Sequence, residues 1–463
     1  MTENTVDTLI TGGTVVKNHS SSKSSIAIDD GTIVAVGDES SLPPAKETID
    51  ATGKVVLPGV VDPHVHIDEV PENRAGTYEA ETRAAALGGV TTIIDFAWQG
   101  GDRRIRDNGK TLLDGIEHKI NKGETSYVDF SVHGVLHREN EETLNQLAPA
   151  IDMGVTSFKM FMSDYPVGVT NGFVNQAFER IAELDAVAAV HTEDPSVCDQ
   201  LTEKMKREGK NEPRDYPKSR PDYTEAMAAD DTVRMALEHG TKYYGVHTTC
   251  AKAVDTIAAY QNDQSQIRAE TCTHYTTLDE SIYDELGTYP QIAPPIRSKE
   301  DIEAIHEALK NGSLSVVSTD HSVYHKEYKD VENWYDSPFG ANSLQASLPV
   351  FHDEAVNKRG YSYSKLVELM CANPARTFGM PKKGTLEPGT DADIVIFDPE
   401  KSYTIRSEDN ASNSSFSIYE GKEVTGAIDK TLVRGQLIVD HGTVVGDSGS
   451  GAFVERNQPD WTR

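Results

Sequence analysis

Apolar residues in the middle of the chain form short runs that alternate with longer stretches of helix-like pattern. This alternation is typical of repeated βα units around a parallel sheet. The runs that we expect to be strands cover residues 60–66, 91–96, 128–136, 157–162, 186–191, 243–247, 267–273 and 314–319. Eight such units close a barrel. The pattern therefore predicts an α/β protein with a (β/α)8 TIM-like barrel over residues 59–371.

The two ends of the chain have a different pattern, in which short apolar runs are divided by turns. At the amino end Gly12-Gly13 and Asp30-Gly31 mark hairpin turns between such runs. Comparable runs near the carboxyl end cover residues 392–397, 426–433 and 436–439. Because the amino-terminal part is too small to fold alone, the pattern predicts one small β-sandwich domain built from both termini, residues 1–58 and 372–463.

The charge balance limits the partners that the protein can have. The 463 residues include 74 Asp and Glu but 44 Lys and Arg, a formal net charge of −30, which argues against nucleic-acid binding. The amino terminus lacks the basic start and apolar stretch of a signal peptide, and no run is long and apolar enough for a membrane span. We therefore expect a cytoplasmic protein. Without CxxC spacing, the four cysteines are expected to be thiols: Cys198, Cys250, Cys272 and Cys371.

Polar residues recur at the ends of the predicted strands, where a buried parallel sheet should be apolar. They are His64 and His66 on the first run, Lys159 on the fourth, His191 on the fifth, His247 on the sixth and Asp320 after the eighth. In a barrel the carboxyl ends of all strands lie at one face, which carries the active site. Imidazole and carboxylate groups suit zinc or a similar divalent ion. The pattern predicts a metal site at this face.

Lys159 lies in an apolar strand, where an ammonium group is costly to bury. Chemistry alone does not favour either of two interpretations of Lys159. Its amine could form an ion pair with Asp320 or another acid, or it could be a carbamate that bridges two cations. Two metals about 3.5 to 4 Å apart can share a hydroxide as nucleophile. We expect Asp320 to be both a ligand and the general base that later protonates the leaving nitrogen.

Nearly the whole chain resembles the cyclic amidohydrolases of the amidohydrolase superfamily, most closely dihydropyrimidinase and hydantoinase. The segments that carry the resemblance are LPGVVDPHVHIDEV, TRAAALGGVTTIIDF, GVTSFKMFM, AVHTED, GVHTTC, ETCTHY, APPIR, VSTDHS and NPARTFGMPKKGTLEPGTDADIVIFDP. The resemblance implies two zinc ions, or similar divalent metals, bridged by carboxylated Lys159. The other implied ligands are His64, His66, His191, His247 and Asp320. It also implies a homo-oligomer, a tetramer in the usual case.

The resemblance further implies opening of a dihydropyrimidine or hydantoin ring to an N-carbamoyl amino acid. Asp68 occupies the position at which dihydroorotases carry an arginine that holds the substrate carboxylate. An aspartate there would repel an anionic substrate, so this residue favours a neutral ring. The expected oxyanion tyrosine position is occupied by Asp164, so Tyr165 is the candidate for that role. Ala293, before a Pro-Pro pair, and Asn342 are the other candidate substrate-binding residues.

Three alternatives stay open. The segment at 340–345, GANSLQ, resembles allantoinases at least as well as hydantoinases. A non-catalytic dihydropyrimidinase-related assembly protein belongs to a different class, but such relatives have lost metal ligands, and all six ligand positions are filled here. A mononuclear deaminase would not need Lys159.

Overall fold

The computed structural model describes residues 5–67, 74–101, 108–163, 167–261 and 266–461. Within these ranges the strands form three sheets. In chain order they are β1 Val6–Thr11, β2 Thr14–Lys17, β3 Ser20–Lys23, β4 Ser25–Asp29, β5 Thr32–Gly37, β6 Ala45–Asp50, β7 Val55–Pro58, β8 Val60–His66, β9 Val90–Trp98, β10 Asp129–Val135, β11 Ser157–Met162, β12 Val187–Thr192, β13 Lys242–Gly245, β14 Ile267–Cys272, β15 Val316–Ser318, β16 His321–Ser322, β17 Ile394–Thr404, β18 Glu423–Val433, β19 Gln436–Asp440 and β20 Thr443–Val444.

Helices follow most strands of the central sheet. They are α1 Tyr78–Leu87, α2 Leu112–Lys122, α3 Glu141–Asn145, α4 Leu147–Asp152, α5 Asn171–Glu183, α6 Pro195–Glu208, α7 Asp222–His239, α8 Ala251–Tyr260, α9 Ile282–Leu286, α10 Lys299–Asn311, α11 Lys326–Lys329, α12 Ser347–Phe351, α13 Tyr363–Val367 and α14 Asn373–Thr377. Capping side chains determine where several of these helices begin. At the start of α6, for example, the Asp194 carboxylate accepts a hydrogen bond from the backbone amide of Val197. None of these helices is long and apolar enough to cross a bilayer.

The central sheet is a closed ring of parallel strands, which confirms the predicted barrel. The strand order is β15-β14-β13-β12-β11-β10-β9-β8-β16. The eighth barrel strand is split into two parts: β15 pairs with β14, whereas β16, three residues further along the chain, pairs with β8. The ring closes through this split strand. Strands β9 to β12 are buried along their whole length, as a sheet covered by helices on its outer face requires.

A β-sandwich built from both termini packs beside the barrel, as the terminal patterns predicted. One sheet has the order β5-β4-β1-β6, and the other has the order β20-β19-β18-β17-β7-β2-β3. In the second sheet amino-terminal β7 pairs antiparallel with carboxyl-terminal β17. Both sheets and both termini contribute to one apolar cluster that includes Ile10, Val15, Ile26, Ile33, Ile394, Ile396 and Leu432.

The last residues of the chain lie against the barrel. The amide of Phe130 on β10 donates to the carbonyl of Ala452 at 3.0 Å. Buried Arg456 donates to the hydroxyls of Ser131 and Ser157, near the amino ends of β10 and β11. The tail after β20 therefore covers the end of the barrel opposite to the strand carboxyl ends, although the sequence pattern had grouped it with the sandwich. The boundaries at 58/59 and 371/372 stay predictions.

Candidate metal centre and active-site cavity

The polar residues singled out in the sequence meet at the carboxyl ends of the barrel strands. His64 and His66 lie on β8, Lys159 on β11 and His191 on β12. A cavity of about 320 Å³ opens at this end. Its lining includes the candidate ligands His64, His66, His191, His247 and Asp320. The structure thus brings together side chains that are far apart in sequence.

The donor atoms are close enough to share cations. Asp320 Oδ1 lies 3.2 Å from His64 Nε2 and 3.3 Å from His66 Nε2. His191 Nδ1 lies 2.9 Å from His247 Nε2. One donor atom from each of His64, His247 and Asp320 falls within a mutual distance of 4.8 Å, which links the two groups. Such a set of imidazole and carboxylate donors suits divalent first-row ions.

Two buried glutamates orient the imidazoles from behind. Glu270 hydrogen-bonds His64 Nδ1, and the hydroxyl of Tyr244 donates to the same carboxylate at 2.7 Å. Glu193 lies 3.0 Å from His191 Nε2. The ring nitrogens that remain, His64 Nε2 and His191 Nδ1, face the other donors. Carboxylates commonly fix metal-binding histidines in this way.

Lys159 is fully buried beside the aromatic rings of Phe96 and Phe161, whose centroids lie 5.3 and 4.9 Å from Nζ. Its amine has no hydrogen-bond partner within the described part of the chain. Burial lowers the pKa of Lys159 to about 7, against the opposing effect of Asp320 and Glu270. A large fraction of this amine is therefore neutral at physiological pH, and a buried polar atom of this kind requires a partner.

Two ligand candidates leave their strands with left-handed backbone. His247 has φ +38° and Asp320 has φ +46°. Strained positions of this kind cost about 1–3 kcal/mol and persist where surrounding contacts impose them. His247 lies two residues beyond the end of β13, and Asp320 lies between β15 and β16. The sequence had extended both strands too far, to 247 and 319, because apolar patterning does not reveal where a backbone turns.

The electrostatics keep two of the donors, Asp320 and His247, in the form that binds metal. Despite burial, the neighbouring His64 and His66 hold the pKa of Asp320 well below its usual value. Burial, together with His191, lowers the pKa of His247 well below that of an exposed imidazole. Against the effect of burial, Asp320 and Glu270 raise the pKa of His64 to about 9. Asp320 is therefore a carboxylate and His247 a neutral imidazole near pH 7.

The candidate substrate-binding residues do not all lie at the candidate active-site cavity. Ala293 lines the cavity. Asn342 lines a separate cavity of about 470 Å³ between the barrel and the β17–β18 arm, and its amide group bonds the main chain of Phe416 and Ile418. Tyr165 lies outside the described residues, as do Asp164 and Asp68. The substrate-binding roles of Tyr165, Ala293 and Asn342 stay predictions.

Sequence reasoning missed four residues at this end of the barrel. Glu193 lies two positions after His191, the spacing of neighbours on one side of a strand, and Glu270 lies in the segment ETCTHY. These signals could have been used. Arg74 and Arg220 also line the cavity. Both come from connecting segments, in which no periodic pattern indicates the direction of a side chain.

Comparisons with known proteins agree with the fold. The amidohydrolase family profile matches residues 55–438. An allantoinase of Salmonella choleraesuis is 33% identical in an alignment of 463 positions that covers 98% of this chain and 99% of that protein. The crystal structure of dihydropyrimidinase from Brevibacillus agri has a TM-score of 0.92 and 30% identity, and covers 98% of this chain and 99% of its own.

A structure of D-hydantoinase has a TM-score of 0.93 and 32% identity, and covers 99% of this chain and 100% of its own. Similarity therefore extends over both the barrel and the sandwich. Since the family profile matches most of the sequence and the relatives are matched nearly end to end, the chain belongs to the amidohydrolase family.

Proposed function

We propose that this enzyme hydrolyses the amide bond of a dihydropyrimidine or hydantoin ring and releases an N-carbamoyl amino acid. The observation that carries the proposal is the convergence of four imidazoles, one carboxylate and one buried amine at one end of the barrel. That amine, of Lys159, has no hydrogen-bond partner among the described residues. Solved structures that resemble this chain over nearly its whole length include a dihydropyrimidinase and a D-hydantoinase.

The residues fit a pair of divalent ions, with zinc as the preferred candidate. His64, His66, His191, His247 and Asp320 would be ligands, and Lys159 as a carbamate would bridge the pair. Support for the carbamate comes from the neutral fraction of the Lys159 amine, which is the form that adds carbon dioxide, and from the absence of a hydrogen-bond partner for Nζ in the described ranges. When bound, the ions supply a nucleophile derived from water at neutral pH and polarise the amide carbonyl.

Asp320 would carry the proton. Its low pKa keeps it ionised, so it can accept a proton from the attacking water and pass it to the ring nitrogen as the C–N bond breaks. Its Oδ1 lies within 3.3 Å of both His64 and His66, which restricts its rotation. General acid–base catalysis by one positioned group contributes about 10²–10⁴-fold to a rate.

The cavity suits a small flat ring. Trp98, Phe161, Ile292 and Phe339 line it, and the Trp98 and Phe161 rings stack with centroids 5.3 Å apart. Apolar walls hold a ring and exclude competing water, while the few polar groups set its orientation. Backbone groups around Ala293 would contribute hydrogen bonds to the ring.

Allantoin is a second candidate substrate. It contains a hydantoin ring, and a curated allantoinase is 33% identical over 98% of the chain. A substrate panel of dihydrouracil, hydantoin and allantoin separates the two candidates, because an allantoinase should have its highest kcat/KM on allantoin, and a dihydropyrimidinase or hydantoinase on one of the other two compounds.

The first prediction tests the metal-dependent reaction. Protein prepared with zinc and bicarbonate should open at least one ring of this panel, lose activity with a chelator and regain it with zinc. Asp320→Asn should lower kcat by about 10²–10⁴-fold. Asp330→Asn, at an exposed acid on the following loop, is the control and should leave kcat unchanged. Intact mass of the Lys159 peptide should show added carbon dioxide. Ring opening by metal-free protein at the full rate would refute the proposal.

A further inference from the structure

The backbone turn that carries Asp320 lies between two anchored neighbours. Asp320 has φ +46°, a left-handed conformation that is uncommon for residues other than glycine and persists where surrounding contacts impose it. Its carboxylate is the proposed proton carrier, so the direction of that carboxylate depends on what holds this turn. Asp320 and Ser322 line the candidate active-site cavity, whereas His321 between them lines the separate cavity beside the β17–β18 arm. The side chain of His321 therefore holds the turn from behind the site.

One anchor precedes Asp320. The hydroxyl of buried Thr319 donates to Asp62 Oδ2 at 2.6 Å and accepts a hydrogen bond from the amide of His321 at 3.2 Å. Asp62 lies on β8, two residues before the proposed ligand His64, and accepts a hydrogen bond from the His64 amide at 3.1 Å. One hydroxyl thus ties the turn to the strand that carries the first two proposed ligands.

The other anchor is the imidazole of His321, which is 1% exposed. Its Nδ1 accepts hydrogen bonds from the amides of Ser343 and Leu344, at 3.2 and 3.3 Å. Its Nε2 lies 2.9 Å from Glu81 Oε2. Because Nδ1 accepts from two N–H groups, the ring proton is on Nε2 and is donated to the Glu81 carboxylate. Both ring nitrogens are bonded, so the ring is fixed in one orientation.

Glu81 is itself held from its other side. It lies on α1 and is fully buried, and its Oε1 accepts a hydrogen bond from the amide of Asn413 at 3.0 Å. The side chain of Asn413 donates to the carbonyl of Ala75, shortly before α1, at 2.9 Å. A carboxylate bonded at both oxygens is a rigid acceptor for the imidazole of His321.

The pairing of β16 with β8 carries the effect of this anchor to the site. His321 lies opposite Val65, and Ser322 lies opposite the proposed ligand His66. A shift of His321 would therefore move Asp320 relative to His66, whose Nε2 lies 3.3 Å from Asp320 Oδ1. Proton transfer requires a heavy-atom separation of about 2.6–3.2 Å, and a misplacement of about 1 Å can cost about 10²-fold in rate.

We propose that His321 and Glu81 are positioning residues that hold the Asp320 carboxylate in the orientation needed for proton transfer. The proposal rests on the function proposed above and deepens it, since it names what directs the general base of that site. The His321 ring lines the other cavity, so it acts on the reaction through Asp320. We therefore expect its loss to lower kcat and to leave KM nearly unchanged, whereas a residue that only shapes the wall would change KM.

Three substitutions separate the bonds of His321. His321→Gln retains a donor near the position of Nε2, His321→Asn retains an acceptor near Nδ1, and His321→Phe keeps a ring without either bond. With the zinc-loaded enzyme and its best ring substrate, His321→Phe should lower kcat by about 10–100-fold and change KM by less than about threefold. At least one of His321→Gln and His321→Asn should recover part of the lost kcat. If His321→Phe does not fold, these two variants carry the same comparison with wild type.

Glu81→Gln tests whether Glu81 acts through His321. Alone it should lower kcat by about 5–10-fold, the effect of one weakened hydrogen bond. Combined with His321→Phe it should lower kcat no further, because the bond that it weakens is already absent.

The matched control is His352→Phe. His352 is equally buried and bonded at both ring nitrogens, to the carbonyl of Thr425 on β18 and to the hydroxyl of Tyr363 on α13. Its replacement should lower the Tm but leave kcat and KM unchanged.

Wild-type kcat in His321→Phe would overturn the inference, and so would an equal fall of kcat in His352→Phe. A raised KM with unchanged kcat, no recovery in either conservative variant, or additive losses in the double variant would overturn it too. If wild type opens no ring, the proposed function fails. The inference is then decided by crystal structures grown with zinc, in which the Asp320 carboxylate must move by about 0.5 Å or more, or take a second conformation, in His321→Phe but not in His352→Phe.

Discussion

At the scale of single residues, the chemistry of this site depends on groups that do not bind metal in the proposed arrangement. Glu270 holds Nδ1 of His64, whereas Glu193 holds Nε2 of His191. The two histidines therefore present different ring nitrogens to the cavity. A histidine alone in a sequence does not indicate which nitrogen it offers, because that choice follows from the partner of the other nitrogen.

The second prediction concerns this support. Glu270→Gln keeps the size of the side chain but removes the negative charge. That charge orients the imidazole of His64 and raises its pKa. We expect zinc affinity to fall about 10–100-fold, measured by equilibrium dialysis with metal analysis. Glu225→Gln is a control at the same end of the barrel, since Glu225 is equally buried but bonds Arg297 and Thr249. Equal zinc loss in both variants would show that the effect is general destabilisation.

At the scale of elements, the wall of the cavity depends on one buried lysine in the segment after β16. Lys329 Nζ donates to the carbonyls of Gln291, Pro338 and Gly340, at 2.7, 2.9 and 3.0 Å. Gly340 and Phe339 line the cavity on one side, and Ile292 lines it next to Gln291. Lys329 thus joins two connecting segments, neither of which has regular structure of its own there.

The third prediction follows from these bonds. Lys329→Met keeps the apolar stem but leaves three carbonyls without their donor, so we expect a loss of about 2–4 kcal/mol in the free energy of unfolding. We also expect a higher KM for ring substrates, because the wall residues lose their anchor. Urea unfolding and steady-state kinetics measure the two effects. Lys326→Met, three residues earlier on an exposed position of α11, should change neither. An unchanged KM in a destabilised Lys329→Met would contradict the role in the wall.

At the scale of the whole molecule, a buried charge cluster joins the barrel to the sandwich. Asp129 on β10 meets Asp391 and Asp393, which precede β17. Three acids so close could hold a metal ion, but the ammonium group of Lys383 occupies the centre, 2.5, 2.9 and 2.8 Å from their oxygens. Arg434 pairs with Asp129 as well. The cluster is therefore a structural ion-pair network, and buried acids are balanced even though the molecule as a whole is strongly acidic.

The fourth prediction concerns that overall acidity. A formal charge of −30 destabilises the compact state by self-repulsion, which salt screens over a Debye length of about 10 Å at 0.1 M and 3 Å at 1 M. We expect the Tm at pH 7.5 to rise by about 5 °C or more between 0.1 and 2 M KCl. The sequence pI is about 4.8, so near pH 5 the same salt should have a much smaller effect. An equal rise at both pH values would point to a general solvent effect on burial.

Sequence patterning determined the architecture with good precision. The bounds predicted for the first and fourth barrel strands, 60–66 and 157–162, are those of β8 and β11. A strand buried in a parallel sheet is a continuous apolar run. This signal is local, so it does not depend on how the rest of the chain folds. Patterning failed where the backbone turns, at His247 and Asp320, because left-handed backbone is imposed there by long-range contacts.

The residue types of the proposed metal site could also be taken from the sequence, since a polar group at the end of a buried apolar strand costs free energy unless it binds a partner there. Only the tertiary structure decided what surrounds them: which glutamate supports which histidine, that Arg74 and Arg220 line the same cavity as the proposed ligands, and that Asn342 turns to a different cavity. These contacts join segments that are distant along the chain. Their geometry is set by the closure of the ring of strands, which periodicity along the sequence does not encode.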